Sequence, residues 1–158
     1  MALGFLLIMA YGFVLLFGAP YLPTMKKQRE QALDLLDLRP GQVFFDLGSG
    51  DGAMLIEAGK RGLNAVGYEI NPFLVLISWV RTRRFGRRVK IKFRSFWRAD
   101  LSSADGVFVF LITHRMEQFD EFLKAKANKR SLKVVSHAFE IPGKKPIKKS
   151  GPMFLYKY

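Results

Sequence analysis

Two acids, Asp46 and Glu69, stand on either side of a run of alternating glycines, Gly48, Gly50 and Gly52, and a third acid, Asp51, lies inside it. In "VFFDLGSGDG" an apolar run leads straight into Asp46 and then into the glycines. Glycine has no Cβ, so such a turn bends sharply and lets backbone approach a ligand closely. A dinucleotide fingerprint would read G-x-G-x-x-G and seat a pyrophosphate on the N–H groups of the next helix. This chain reads G-x-G-x-G, and carboxylates at Asp46 and Asp51 repel a pyrophosphate. They suit a cation, or a ligand carrying an ammonium group and hydroxyls. Glu69 follows 17 residues beyond Gly52, where an acid at a strand end accepts hydrogen bonds from both hydroxyls of a ribose.

These residues need strands that end together. Val43–Leu47 is continuous and apolar, as in a parallel strand buried on both faces. A helix from Ala53 to Arg61 follows, closed by Gly62, and then a second strand, "NAVGYE", ends in Glu69. Asn71-Pro72 starts another helix, carrying Phe73, Leu74, Leu76, Ile77 and Val80. "RRVKIKFRSF", "DGVFVFLI" and "LKVVSHAF" read as third, fourth and fifth strands, with a helix over Arg115–Ala127 before the last of them. The tail reads as a hairpin ending in a strand over Met153–Tyr158. Alternating strands and helices predict an α/β fold: a Rossmann-like parallel sheet with helices on both faces. Ligands of such sheets bind beyond the carboxyl ends of the central strands. A nucleoside without phosphate but with positive charge fits the acids there. S-adenosylmethionine has the ammonium, the sulfonium and the free ribose.

"DLGSGDG" followed by "VGYEINP" resembles the first two cofactor motifs of the class I, seven-stranded S-adenosylmethionine-dependent methyltransferases, over Val43 to about Phe139. More narrowly, "PYLPT", "GYEINPFLV" and "FWRADLSSADGVFVFLI" resemble the small membrane-anchored protein-lysine methyltransferases, which modify the ATP synthase c-subunit or the adenine nucleotide translocase and have prokaryotic relatives. The resemblance implies that Asp46 and the Gly48–Ser49–Gly50 backbone hold the methionine portion of the cofactor; Asp51 is a further cofactor-binding candidate, which reads equally as a helix N-terminal acid. It implies that Glu69 binds the ribose, that Ile70 and Asn71 flank sugar and adenine, and that Ser95 and Phe96 border the adenine. Tyr21, Pro23 and Thr24 would fold over the cofactor, and Leu111–Thr113 would line the mouth where the methyl group meets its acceptor. Thr113, His114 and Tyr21 are the candidate catalytic residues. The chain departs from common patterns at Ser95, where many class I enzymes carry an acid, and at Ala53, where relatives often carry Arg. "LITH" is not the N/D-P-P-Y element of nucleic-acid amino-methyltransferases.

The formal net charge is +13 over 158 residues, and there is no cysteine. Disulfides and thiolate chemistry are excluded, and an anionic partner is favoured. The segment Arg81–Arg94 holds Arg81, Arg83, Arg84, Arg87, Arg88, Lys90, Lys92 and Arg94 without an acid. An anionic membrane surface is the partner expected for it. Nucleic acid is the weaker choice, because few aromatics alternate with the charges in a stacking pattern.

The first 25 residues are uncharged, so residues 1–19 are expected to form a transmembrane helix. Residues 20–41 would be a linker and helix, with Thr24 as the cap of a helix beginning at Met25, and 42–158 the catalytic domain. Lys26, Lys27 and Arg29 put that domain on the cytoplasmic or mitochondrial matrix side. No His/Asp/Glu set has metal-ligand spacing, and His137 reads as a structural histidine. The expected function is methyl transfer to a lysine of a membrane protein. A lipid or small hydrophobic acceptor, or a non-catalytic basic membrane adaptor, are the alternatives.

Overall fold

The computed structural model describes residues 24–127 and 131–158. Tyr21, Pro23 and the expected span over 1–19 lie outside them. The first described helix, α1, covers Lys26–Leu36 and buries Ala32, Leu33, Leu35 and Leu36. Its cap is Met25 rather than Thr24: the Met25 N–H donates to Gln28 Oε1 at 3.1 Å, so a side chain reaching back from the first turn does the capping. At the other end Asp37 takes a left-handed conformation, φ 45°, and its N–H donates to the Leu33 carbonyl.

The strands are β1 (Val43–Leu47), β2 (Asn64–Glu69), β3 (Val89–Phe93), β4 (Gly106–Val109), β5 (Lys133–His137), β6 (Lys148–Ser150) and β7 (Met153–Lys157). They form one seven-stranded sheet in the order β3-β2-β1-β4-β5-β7-β6. The pairs β3·β2, β2·β1, β1·β4 and β4·β5 are parallel; β7 runs antiparallel to both β5 and β6. The order reverses between β1 and β4, where β1 has neighbours made by both later and earlier crossovers. The third, fourth and fifth strands are shorter than expected, because a 3₁₀ segment over Arg83–Arg88 precedes β3 and the apolar residues beyond Val109 leave the ladder.

The period-2 alternation of strand side chains divides the core in two. Phe44, Ala65, Phe108 and Val135 pack with α1 and with α2 (Ala53–Lys60) on one face. Phe45, Leu47, Val107, Val109 and Val134 pack with Met116, Phe119 and Leu123 of α4 (Met116–Lys126) on the other. Burial on both faces is why these strands are apolar without interruption. Between α2 and α4 in chain order, α3 (Pro72–Thr82) is capped by Asn71, whose Oδ1 accepts from the N–H groups of Phe73 and Leu74. Its buried residues are Ser78 and Thr82, while Phe73, Leu76, Ile77, Trp79 and Val80 face out.

The expectation of a membrane-spanning protein is corrected. Among the described residues no helix is long and apolar enough to cross a membrane. The longest, of 11 residues, reach about 16 Å against the roughly 30 Å of a hydrocarbon core.

Candidate cofactor site

The carboxyl ends of β1 and β2 bring the acids together. Asp46, next to last in β1, sits opposite Gly67 of β2 and Phe108 of β4. It is 3% exposed. Burial, and secondarily the charge of Glu69, push it up to about 8. A buried acid so disposed favours an incoming cation, whose charge restores the ionised form.

Glu69 closes β2 and ties the site's two loops together. Its Oε2 accepts from the Gly50 N–H at 2.9 Å, and its Oε1 from the N–H groups of Ile70 and Asn71, both at 2.8 Å. The glycine turn is held from below, where the Tyr68 carbonyl accepts from both the Gly48 and Ser49 N–H groups. Gly48 has φ 101°, and a Cβ added there would meet nothing within 4 Å. The turn therefore faces open space of the kind a ligand fills. Gly52 is required for the opposite reason. At φ 79° it abuts α3, and a Cβ would run into Ser78 Oγ.

Asp51 points elsewhere. Its Oδ1 accepts from the Ala53 N–H at 3.1 Å, at the start of α2, and its Oδ2 is ion-paired with Arg81 of α3. Ser49 is buried, with its hydroxyl unpartnered among the described residues, and Gly67 leaves the room it occupies. Ile70 is exposed beside Asn71, at the lip of the site. Ser95 precedes a 3₁₀ turn over Phe96–Arg98, and the Phe96 ring lies against Trp97 at 4.5 Å and against Phe122. Thr24 is partly buried, and its carbonyl accepts from Arg29. Thr113 and His114 are exposed in a 3₁₀ turn just past β4.

One residue set aside in the sequence enters the same edge. His137 ends β5, one position past the Ser136–Val109 pair, with its ring 4.3 Å from that of Phe110. Its Nδ1 has no partner among the described residues, and burial lowers its pKa. The signal was a histidine at the carboxyl end of an apolar strand.

A buried carboxylate, an open glycine turn and a second carboxylate at the ends of adjacent parallel strands fit S-adenosylmethionine. Asp46 and the Gly48–Gly50 backbone would meet its ammonium-bearing portion, and Glu69 its ribose. The sheet order and this edge define a class I S-adenosylmethionine-dependent methyltransferase. The chain belongs to the family described as the ANTKMT methyltransferase domain, whose sequence profile matches residues 46–148. It is 34% identical to the human ATP synthase c-subunit lysine N-methyltransferase over 78% of this chain and 53% of that protein. It is also 34% identical to a protein-lysine N-methyltransferase of Saccharolobus islandicus, over 80% of this chain and 81% of that one. Among solved structures it resembles an RNA methyltransferase from Salinibacter ruber in complex with S-adenosyl-L-homocysteine. That likeness has a TM-score of 0.77 and 28% identity, and covers 87% of this chain and 92% of the other. The chain spans about half the length of the first curated relatives it matches.

Proposed function

We infer that this protein transfers methyl groups from S-adenosylmethionine to a lysine side chain of a protein, with a membrane protein as the substrate class. The observation that carries the reading is the Asp46–Glu69 pair around the open glycine turn, in a chain similar along four-fifths of its length to a protein-lysine N-methyltransferase. The bound cofactor supplies an electrophilic methyl group on a positive sulfur. The protein's task is alignment and exclusion of water.

The acceptor nitrogen needs a lone pair, so the lysine must arrive neutral. A weakly polar mouth formed by Leu111, Ile112 and Thr113 lowers its pKa by desolvation. With the cofactor bound, the neutral nitrogen would take its methyl group, and the proton then left on nitrogen would pass to water. Thr113 and His114 would orient the incoming amine, and Asp46 and Glu69 would hold the donor. Thr24 would close over it from the segment before α1.

RNA as acceptor is the second reading, favoured by the likeness to the Salinibacter ruber enzyme and by the net charge of +13. Against it stands "LITH" after β4, which lacks the flat, polar N/D-P-P-Y element that holds a base amino group.

The deciding experiment has two parts. Calorimetry should give micromolar-range binding of S-adenosylmethionine to the wild type. In Glu69→Ala it should be weaker by tenfold or more, because a charge-assisted acceptor is lost, worth about 1.5–3 kcal/mol. Labelled methyl from the cofactor should then appear on protein lysine after total hydrolysis. Label in RNA and none in protein would reverse the choice of acceptor. Failure of the folded wild type to bind the cofactor would sink both readings.

A further inference from the structure

Helix α3 is built inside out. Phe73, Leu76, Ile77 and Val80 fall at i, i+3, i+4 and i+7, the spacing of one helix face. That face points away from the protein: Leu76 is 60% exposed and Trp79 beside it 62%. The side toward the sheet carries the small polar residues Ser78 and Thr82, with the Thr82 hydroxyl donating to the Ser78 carbonyl at 2.8 Å. Exposed Ile70 and Phe93, at the ends of β2 and β3, carry the apolar surface up to the lip of the cofactor site. Arg84, Arg87 and Arg88 are exposed where the helix gives way to the 3₁₀ turn, and no acid occurs from Ile70 to Ala99.

A contiguous exposed apolar face rimmed by one sign of charge marks an interaction surface, and its charge selects the occupant. A second copy of this chain would bring arginines against arginines. The partner must be anionic and must offer an apolar ridge one helix wide. We propose that the outer face of α3 is a docking surface for an acidic amphipathic helix of a partner protein, and that this partner is the protein bearing the acceptor lysine. The helix-wide stripe takes a partner's apolar face as a groove takes a helix, and the arginines pair with carboxylates at its margins. Docking there holds the substrate beside the cofactor edge and raises the local concentration of its lysine. The identification of the partner as substrate rests on the protein-methyltransferase reading; the docking surface itself does not.

The test uses the full chain and a synthetic peptide of roughly 18 residues, long enough to form helix on contact. The peptide has leucines at i, i+3, i+4 and i+7 and glutamates elsewhere. Its lysine-for-glutamate counterpart and phosphatidylcholine/phosphatidylglycerol vesicles are the comparators. Trp79 is the reporter, read as the difference between wild type and Trp79→Phe. The acidic peptide should shift its emission to the blue, protect it from acrylamide, and bind less well as salt is raised. The double variants Leu76→Ser/Ile77→Ser and Arg84→Glu/Arg88→Glu should each bind the peptide at least about tenfold more weakly, as expected for the centre and rim of a docking patch. Both should keep wild-type affinity for S-adenosylmethionine, which shows that they fold.

No response to the acidic peptide overturns the proposal, as does an equal response to the basic one. A response to vesicles alone overturns it in favour of a lipid surface. Protection of Trp79 in the free chain overturns it too, because the face is then already covered. Cofactor binding without peptide binding removes the docking surface alone, whereas loss of cofactor binding by the wild type removes the methyltransferase reading.

Discussion

At the scale of single residues, the two acids of the site do different work, and pH separates them. Asp46 is held neutral by burial, with a pKa raised from 3.8 to about 8. The folded protein therefore binds this proton over a range where the unfolded chain has lost it. Stability falls as pH rises from about 4 to about 8 and levels off above that. Asp46→Asn should abolish that slope and raise the melting temperature of the ligand-free protein at pH 7, while weakening the cofactor. Thermal melts at several pH values check both. A cationic ammonium at Asp46 should expel the proton, so calorimetry in buffers of different ionisation heat should register proton release near pH 7.

Asp51 behaves differently, because its two oxygens serve the Ala53 N–H and Arg81. Asp51→Asn should change cofactor affinity by less than about threefold, as expected for a partly exposed ion pair. The glycine turn and both acids were legible in the sequence, since a turn's chemistry is local. The pairing of Asp51 was not, because Arg81 lies 30 residues away and spacing does not say which way a side chain points.

At the scale of elements, contact between the glycine turn and α3 decides how much the site tolerates. Gly52→Ala forces a left-handed alanine against Ser78 Oγ, for a cost of about 1–3 kcal/mol from the backbone conformation alone. Denaturant unfolding should register that loss, and Ser78→Gly should recover the part due to the clash. On the opposite face Phe119 is fully buried among Trp97, Phe122 and Leu123. Phe119→Ala should cost about 3–5 kcal/mol, read from the same curves. Helix α4 was readable because its apolar residues point in, as amphipathic helices do. Helix α3 was readable as a helix, yet its orientation was not. A periodic apolar stripe gives the face, and only tertiary packing tells whether that face meets the sheet or the solvent. The shortening of β4 is of the same kind: its apolar run continues past the last ladder hydrogen bond into Phe110 and Leu111, and spacing does not say where a ladder stops.

At the scale of the whole molecule, strand order was the least legible feature and the most consequential. Alternating elements imply a parallel sheet, but not that the second half turns back at β1 or that β7 inserts between β5 and β6. The membrane expectation failed for a different reason. It rested on residues 1–19, which lie outside the described residues, and no described helix is long and apolar enough to span a bilayer. The excess of positive charge over the whole chain, +13, predicts weak association with polyanions at low ionic strength. Heparin retention should fall steeply between about 0.1 M and 0.5 M salt, and Arg84→Glu/Arg88→Glu should elute earlier than the wild type.

The reversal of strand order between β1 and β4 divides the sheet into two halves, with Asp46 on one side of the seam and Phe108 on the other, and α1 of the first half packs across it on β5, β6 and β7. The covalent link across that seam passes through the exposed turn at Ser102 and Ser103. A chain cut there leaves β1–β3 with both acids on one fragment and the 3₁₀ turn after β4 on the other. Neither fragment holds a complete site. Reassociation alone would restore transfer activity, so a gene divided at this turn would work as a complementation reporter whose signal is methylation.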